Sequence, residues 1–201
     1  WEQSEALALI PTGGEYPLLA RGAHEARHSL GSNATISDTT GKVVAVLRPS
    51  FTRIGDMVAS PDGRYLLVST GNQRLSVYRG DGSSRFPLLN LVQSRGEWVV
   101  WTPEGYYSAS PGGEKLIGWA VSNGPNELAT FHPADKLAKH FRRPDLIKLA
   151  LEKGSVAEAL TVLKTATPDV ETILPPVATL TLLKQEGGAV TVRAEARGVS
   201  K

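Results

Sequence analysis

The stretch EWVVWTPEGYYSASPGGEKLIGWAVSNGP, from Glu97 to Pro125, decides how the chain is read. It holds three of the four Trp and two of the five Tyr. It also repeats an earlier passage. SPDGRYLLVS begins at Ser60 and TPEGYYSAS at Thr102, so Pro61 and Pro103 lie 42 residues apart. An apolar run ending in glycine follows each. LSVYRGDG closes at Gly82 and GWAVSNG at Gly124, again 42 apart.

Working outward, ATISDTTG closes at Gly41, 41 residues before Gly82. Further back, IPTGGEYPLLARG (Ile10 to Gly22) lines up with SPDGRYLLVSTG (Ser60 to Gly71). Pro11 lies 50 before Pro61, and the extra length falls around AHEARHSLGSN, Ala23 to Asn33. A unit of about 40–45 residues with four short strands is the period of a β-propeller blade. The turn chemistry agrees. Proline presets φ, and glycine takes the φ that other residues avoid. The flanking runs, such as RLSVYRG and EWVVW, carry β-branched and aromatic residues. The expected fold is therefore mainly β, with residues 1–131 forming a partial propeller of about three blades. Propellers close with roughly four or more blades. Further blades are expected upstream, with Trp1 ending a strand of the preceding one.

The remainder changes character. HPADKLAKHFRRPDLIKLALEKGSVAEALTVLKTA, residues 132–166, reads as short amphipathic helices. Pro133 and Pro144 suit first-turn positions, where a missing N–H costs nothing. Ser155 and Glu158 form a capping box, and Gly154 ends the preceding helix. Leu146, Ile147, Ala150 and Leu151 share one face, as do Val156, Ala159, Leu160 and Leu163. These faces are expected to cover the propeller rim or bottom. Residues 167–176 read as a linker stiffened by Pro175-Pro176. In residues 177–201, two alternating runs flank Gly187-Gly188 and predict a β-hairpin. A lone hairpin is marginal in water. It is read as the start of an immunoglobulin-like sandwich continuing past Lys201, so the chain is expected to be cut at both ends.

The bulk numbers narrow the function. Net charge is +2, from 22 basic and 20 acidic residues, which argues against a dedicated nucleic-acid surface. There is no cysteine, hence no disulfide and no thiol nucleophile. No apolar run approaches the roughly 18–20 residues of a membrane span. The compartment is left open, with the cytoplasm favoured.

Candidate chemistry is sparse. His24-Glu25-Ala26-Arg27-His28 matches the zinc-protease pattern, which on a helix puts both imidazoles on one face with Glu25 as base. The segment sits in an inter-strand insertion, lacks apolar helical flanks and has no evident third ligand. It reads more simply as a polar loop with a short helical turn. His132 and His140 lie eight apart around the first helix, with no nearby third ligand, and read as a helix-start residue and a solvated one. No Gly-x-Ser-x-Gly elbow is present. Arg142, Arg143 and Lys148 read as a solvated basic face. Trp98, Trp101, Tyr106, Tyr107 and Trp119 offer a binding platform or, more simply, inter-blade core. Trp98 and Trp101 face opposite ways in a regular strand. The Pro111-Gly112-Gly113 loop lacks the strand–helix setting of a phosphate loop.

Trp101 to Tyr107, Ser110 to Gly113, Ile117 to Trp119, Arg143 to Asp145 and Pro175-Pro176 together carry a resemblance. The chain resembles the segment that closes the WD-repeat propeller in bacterial proteins bearing a caspase-like peptidase domain. The resemblance spans about Asp56 to Ala196. It implies a WD-repeat-type propeller, a helical stretch and a linker into a β domain, all part of a larger cysteine peptidase. The family's His/Cys dyad has no counterpart here, so no catalytic residue carries over.

The expectation is a non-catalytic interaction or regulatory module without a cofactor. Its partners are proteins bound through the propeller and the missing segments of its own parent chain. The alternatives are a zinc hydrolase at His24, Glu25 and His28, and a plain WD-repeat scaffold.

Overall fold

A computed structural model describes residues 18–19, 24–28, 33–48, 53–122, 125–126, 128–168, 170–173, 177–186 and 188–197. Trp1, the Pro11 turn, Gly124, Pro175-Pro176 and Gly187 lie outside them. The described chain is mainly β with little helix.

Strands β1 (Leu18–Leu19), β2 (His24–His28), β3 (Ala34–Asp38) and β4 (Val43–Leu47) form one antiparallel sheet in chain order. A second sheet takes β5 (Ile54–Ala59), β6 (Tyr65–Thr70), β7 (Arg74–Arg79), β8 (Leu89–Ser94), β9 (Glu97–Trp101) and β10 (Tyr107–Ala109). Ala45 and Leu47 alternate with exposed Val44 and Val46, so β4 turns one face inward. Across the gap, Leu66, Val68 and Tyr78 complete a core shared by the two sheets.

The second sheet has six strands and so runs past the span of one four-stranded unit. Residues Arg95 and Gly96, both at positive φ (51° and 83°), form a two-residue loop between β8 and β9. Two consecutive positive φ values match the twist of a tight hairpin and lock its strands side by side. The third repeat unit is thereby hydrogen-bonded onto the second. It then comes apart. A 3-10 turn at Gly113–Leu116 intervenes, and β11 (Gly118–Val121) pairs with β12 (Thr130–Pro133) instead of β10. Among the described residues the sheets do not close into a ring.

A 3-10 turn at Ala134–Leu137 runs into α1 (Ala138–Phe141), followed by α2 (Pro144–Lys153) and α3 (Val156–Leu163). Pro144 occupies the first turn of α2, and Gly154 ends it at φ 71°. The Ser155 hydroxyl accepts from the Glu158 amide at 3.2 Å, as expected of an N-cap. Pro133 instead ends β12 and caps the 3-10 turn. Leu146, Ile147, Ala150, Val156 and Ala159 pack with Leu89, Val99, Tyr106 and Tyr107. Leu151 is 41% exposed, outside the face assigned to it. The sheet also holds α2 by its C-terminus. Tyr65 donates to the Leu151 carbonyl, and Arg64 Nη2 to the Glu152 carbonyl at 2.7 Å. A guanidinium there also complements the helix dipole.

Within residues 167–176, read as a linker, one helical turn forms: α4 (Val170–Ile173), whose Val170 and Ile173 rest against the core. The hairpin forms as β13 (Val177–Glu186) and β14 (Ala189–Arg197), with a register shift between Leu182 and Lys184. Leu180, Leu182, Val190 and Val192 are exposed.

Candidate interaction surface

The aromatic residues divide. Tyr106 and Tyr107 are fully buried, and their phenol oxygens donate to the carbonyls of Ala166 (3.4 Å) and Ala134 (3.2 Å). Burial, with the Glu114 carboxylate nearby, raises the Tyr107 phenol above its ordinary value. Trp98 is 40% exposed and points away from Trp101, as strand alternation requires. Trp101 and Trp119 converge instead on a groove of about 460 Å³, with Pro103, Leu116 and Phe131 on its walls.

Local sequence builds this groove. Thr102-Pro103-Glu104-Gly105 is a tight turn: the Gly105 amide donates to the Thr102 carbonyl at 2.9 Å, with φ 94° at Gly105. A side chain at Gly105 would lie 3.2 Å from the Trp119 indole nitrogen. Behind Trp119 stand Phe141, with ring centroids 4.9 Å apart, and Tyr107 at 6.2 Å. Phe131 lies over Gly118, where a Cβ would meet its ring at 2.4 Å. The Thr102 hydroxyl is buried without a hydrogen-bond partner among the described residues. Among the described residues, no charged side chain lines the groove.

The Ser110-Pro111-Gly112-Gly113 loop is committed internally. The Ser110 hydroxyl and the Gly112 amide (2.9 Å) both donate to the Glu97 carboxylate. The Ser110 hydroxyl, then the Gly112 amide, hold that carboxylate below its ordinary value. A Cβ on Gly113 would lie 1.9 Å from the Trp98 carbonyl oxygen. The loop is a turn, as expected.

The zinc pattern meets a different backbone. His24 to His28 is strand β2, paired residue for residue with β3, and not a helical turn. Four residues of strand separate the two histidines by about 13 Å, against about 6 Å on a helix. The one-turn spacing on which the motif depends is not formed, because pairing with β3 extends the segment. Among the described residues, no three His, Cys, Asp or Glu side chains gather as metal ligands would. His132 sits on β12 opposite Trp119, and His140 is exposed on α1. The basic cluster is paired with acids: Arg142 with Glu114 (3.2 Å), Arg143 with Asp145 (2.7 Å) and Lys148 with Glu152 (3.9 Å).

A second, open groove of about 850 Å³ lies between β4 and the Gly82–Pro87 segment, bordered by exposed Val44, Val46 and Phe86. No helix is long and apolar enough to cross a membrane among the described residues.

Phe131 and Leu116 were not singled out by the sequence reading, and Pro103 only as a turn residue. The available signal was FHP following an Ile-Gly-Trp strand: a glycine facing an aromatic on a neighbouring strand leaves room for the ring.

No protein-family model matches the chain, and no curated protein matches it. Solved structures similar to it include the crystal structure of the Myceliophteria thermophila Cps50 (Swd1) β-propeller domain, at 18% identity and a TM-score of 0.30. That likeness covers 62% of this chain and 39% of that one. A likeness of this size assigns neither fold nor function.

Proposed function

We propose that the chain is a non-catalytic protein-interaction module. The observation that carries the reading is the groove walled by Trp101, Pro103, Leu116, Trp119 and Phe131. Phe131 is 62% exposed although its seat over Gly118 is built for it. Exposed aromatics beside a rigid apolar wall are the usual anchors of protein interfaces. In the finer reading, the sheets are propeller blades and the hairpin opens an immunoglobulin-like domain. The module then recruits a partner or restrains a caspase-like peptidase on the same parent protein. Support for that finer reading is the resemblance of the Glu97–Leu160 block.

The test is photocrosslinking. The chain carries p-benzoylphenylalanine at position 131 or, as control, at exposed position 136, in extract of its source cells. A defined protein adduct is expected at 131 alone. The adduct partner is then titrated against the Phe131→Ala chain, with at least a tenfold loss of affinity expected. Equal labelling at both positions, or unchanged affinity, refutes the reading. A caspase-like adduct partner would support the peptidase assignment.

A further inference from the structure

We propose that the outer edge of β4 takes up an extended segment of a partner protein, apolar in its middle and acidic at its ends, as an added strand. This is a second binding site, and it stands whether or not the Phe131 groove is an interface.

The backbone makes the first argument. β4 is the last strand of its sheet, and among the described residues no strand pairs with its free side. An edge strand presents a row of N–H and C=O groups that an extended chain can satisfy. Val44, Ala45 and Val46 all line the groove of about 850 Å³, although successive side chains of a strand point to opposite faces. A groove that meets all three lies along the side of the strand. Its far wall is residues 82–87. That wall comes close because Gly82 has no side chain: a Cβ there would lie 2.8 Å from Val44 Cγ2. Phe86 lines the groove at 63% exposure, with the Arg85 guanidinium 5.1 Å from its ring centroid. The register shift beside Val44 adds local twist, which suits a short added strand and not a long flat one.

Charge names the occupant. Val43–Leu47 is apolar throughout and sits between Lys42 and Arg48, both exposed. Among the described residues, the charged side chains on the groove are Arg48 and Arg85, and neither forms an ion pair. Antiparallel pairing of two copies about Ala45 would set Lys42 of one against Arg48 of the other, like charge against like. A strand with carboxylates at its ends meets opposite charge there instead, and its apolar middle meets Val46 and Phe86.

The experiment titrates a blocked heptapeptide, valine alternating with threonine between terminal glutamates, into the full chain. Amide exchange in β4 is followed by nuclear magnetic resonance. Saturable binding with a dissociation constant below about 1 mM is expected. Alternate amides of β4 should exchange more slowly in the complex. The same peptide with N-methylated valines cannot donate from those positions and should not bind measurably. With lysines at its ends it should bind about tenfold more weakly. Arg48→Glu combined with Arg85→Glu should invert that preference with an unchanged circular dichroism spectrum. The peptide controls decide the matter if the double substitution disturbs the fold.

No saturation by about 1 mM overturns the proposal. So does binding that survives N-methylation, equal binding of the lysine-ended peptide, or a preference that the double substitution leaves in place. Protection of β4 amides that grows with chain concentration in the absence of peptide would assign the edge to a second copy. Displacement of the peptide by oligouridylate would assign the arginines to nucleic acid. Either result also rejects the proposal. An adduct at position 131 bears on the other groove alone, so the two readings fail separately.

Discussion

After Ser60-Pro61-Asp62-Gly63 the chain lays down β6, β7 and β8, each against the one before. After Thr102-Pro103-Glu104-Gly105 it lays down β10 and then leaves the sheet. The turns share their logic. The Gly63 amide donates to the Ser60 carbonyl at 2.8 Å, and the Gly105 amide to the Thr102 carbonyl at 2.9 Å. What differs is the next connection. In the earlier copy a short turn leads from β6 into β7. In the later one Gly113 packs against the Trp98 carbonyl, and the chain enters a 3-10 turn. A repeated turn sets local geometry; the following loop sets which strand becomes the neighbour.

The comparison can be broken most severely at Phe141. Fully buried, it contacts Tyr106 and Trp119, so it fastens the departing segment to the sheet. Phe141→Ala should cost about 3–5 kcal/mol in urea denaturation. Leu151→Ala, at an exposed position of the neighbouring helix, should stay within about 0.5 kcal/mol.

Next comes the loop itself. Gly113→Ala drives a Cβ into a backbone carbonyl and should cost about 3 kcal/mol. Gly112→Ala meets only the end of the Glu97 side chain and should cost about 1 kcal/mol. Equal losses at the two glycines would show that the Trp98 contact does not direct the departure.

In the earlier copy, Ser76 donates to Asn90 at 2.8 Å in a buried site between neighbouring strands. Ser76→Ala should cost about 1–3 kcal/mol by stranding the Asn90 oxygen. The Tyr78 hydroxyl is buried there without a hydrogen bond among the described residues, so Tyr78→Phe should be neutral or slightly stabilising. Burial pushes the Tyr78 phenol up to about 12, with Arg74 and Ser76 pulling weakly against it. The folded value lies above the unfolded one of 10. Its contribution to stability is complete below pH 10 and is lost as pH rises toward 12. Denaturation midpoints measured across that window should fall less in Tyr78→Phe.

The smallest effect belongs to Glu97. Its folded value is depressed, so its contribution is present above the ordinary carboxylate value of 4.5 and is lost as pH falls through the folded value. Glu97→Gln should flatten stability profiles below pH 5 and leave those near pH 7 close in shape.

Local signals were readable where a single residue determines the backbone. Pro144, Gly154 and Ser155 mark the helix boundaries, and the Pro-x-Gly turns mark the strand pairs. Pairing was less readable. Arg95-Gly96 between two apolar runs is itself a hairpin signal, but the 42-residue echo drew the units to close at Gly82 and Gly124 and left it unused. The His24–His28 segment illustrates the same limit: its spacing suits a helix, and pairing with β3 decides otherwise. At the groove, Trp101 and Trp119 were visible as aromatics. Their convergence with Phe131 depends on β11 pairing with β12, which no local motif announces.

The chain-order pairing of β5 through β10 bears on synthesis. Each strand leaving the ribosome finds its hydrogen-bonding neighbour already outside, one short loop earlier. Such local pairing incurs little loop-closure entropy and favours rapid formation. At about 5–20 residues per second, this six-stranded sheet takes seconds to emerge. Its later strands can therefore be added singly, without waiting for a distant segment. Only then do α1 to α3 arrive to cover it, so the helices seal a surface that is already built.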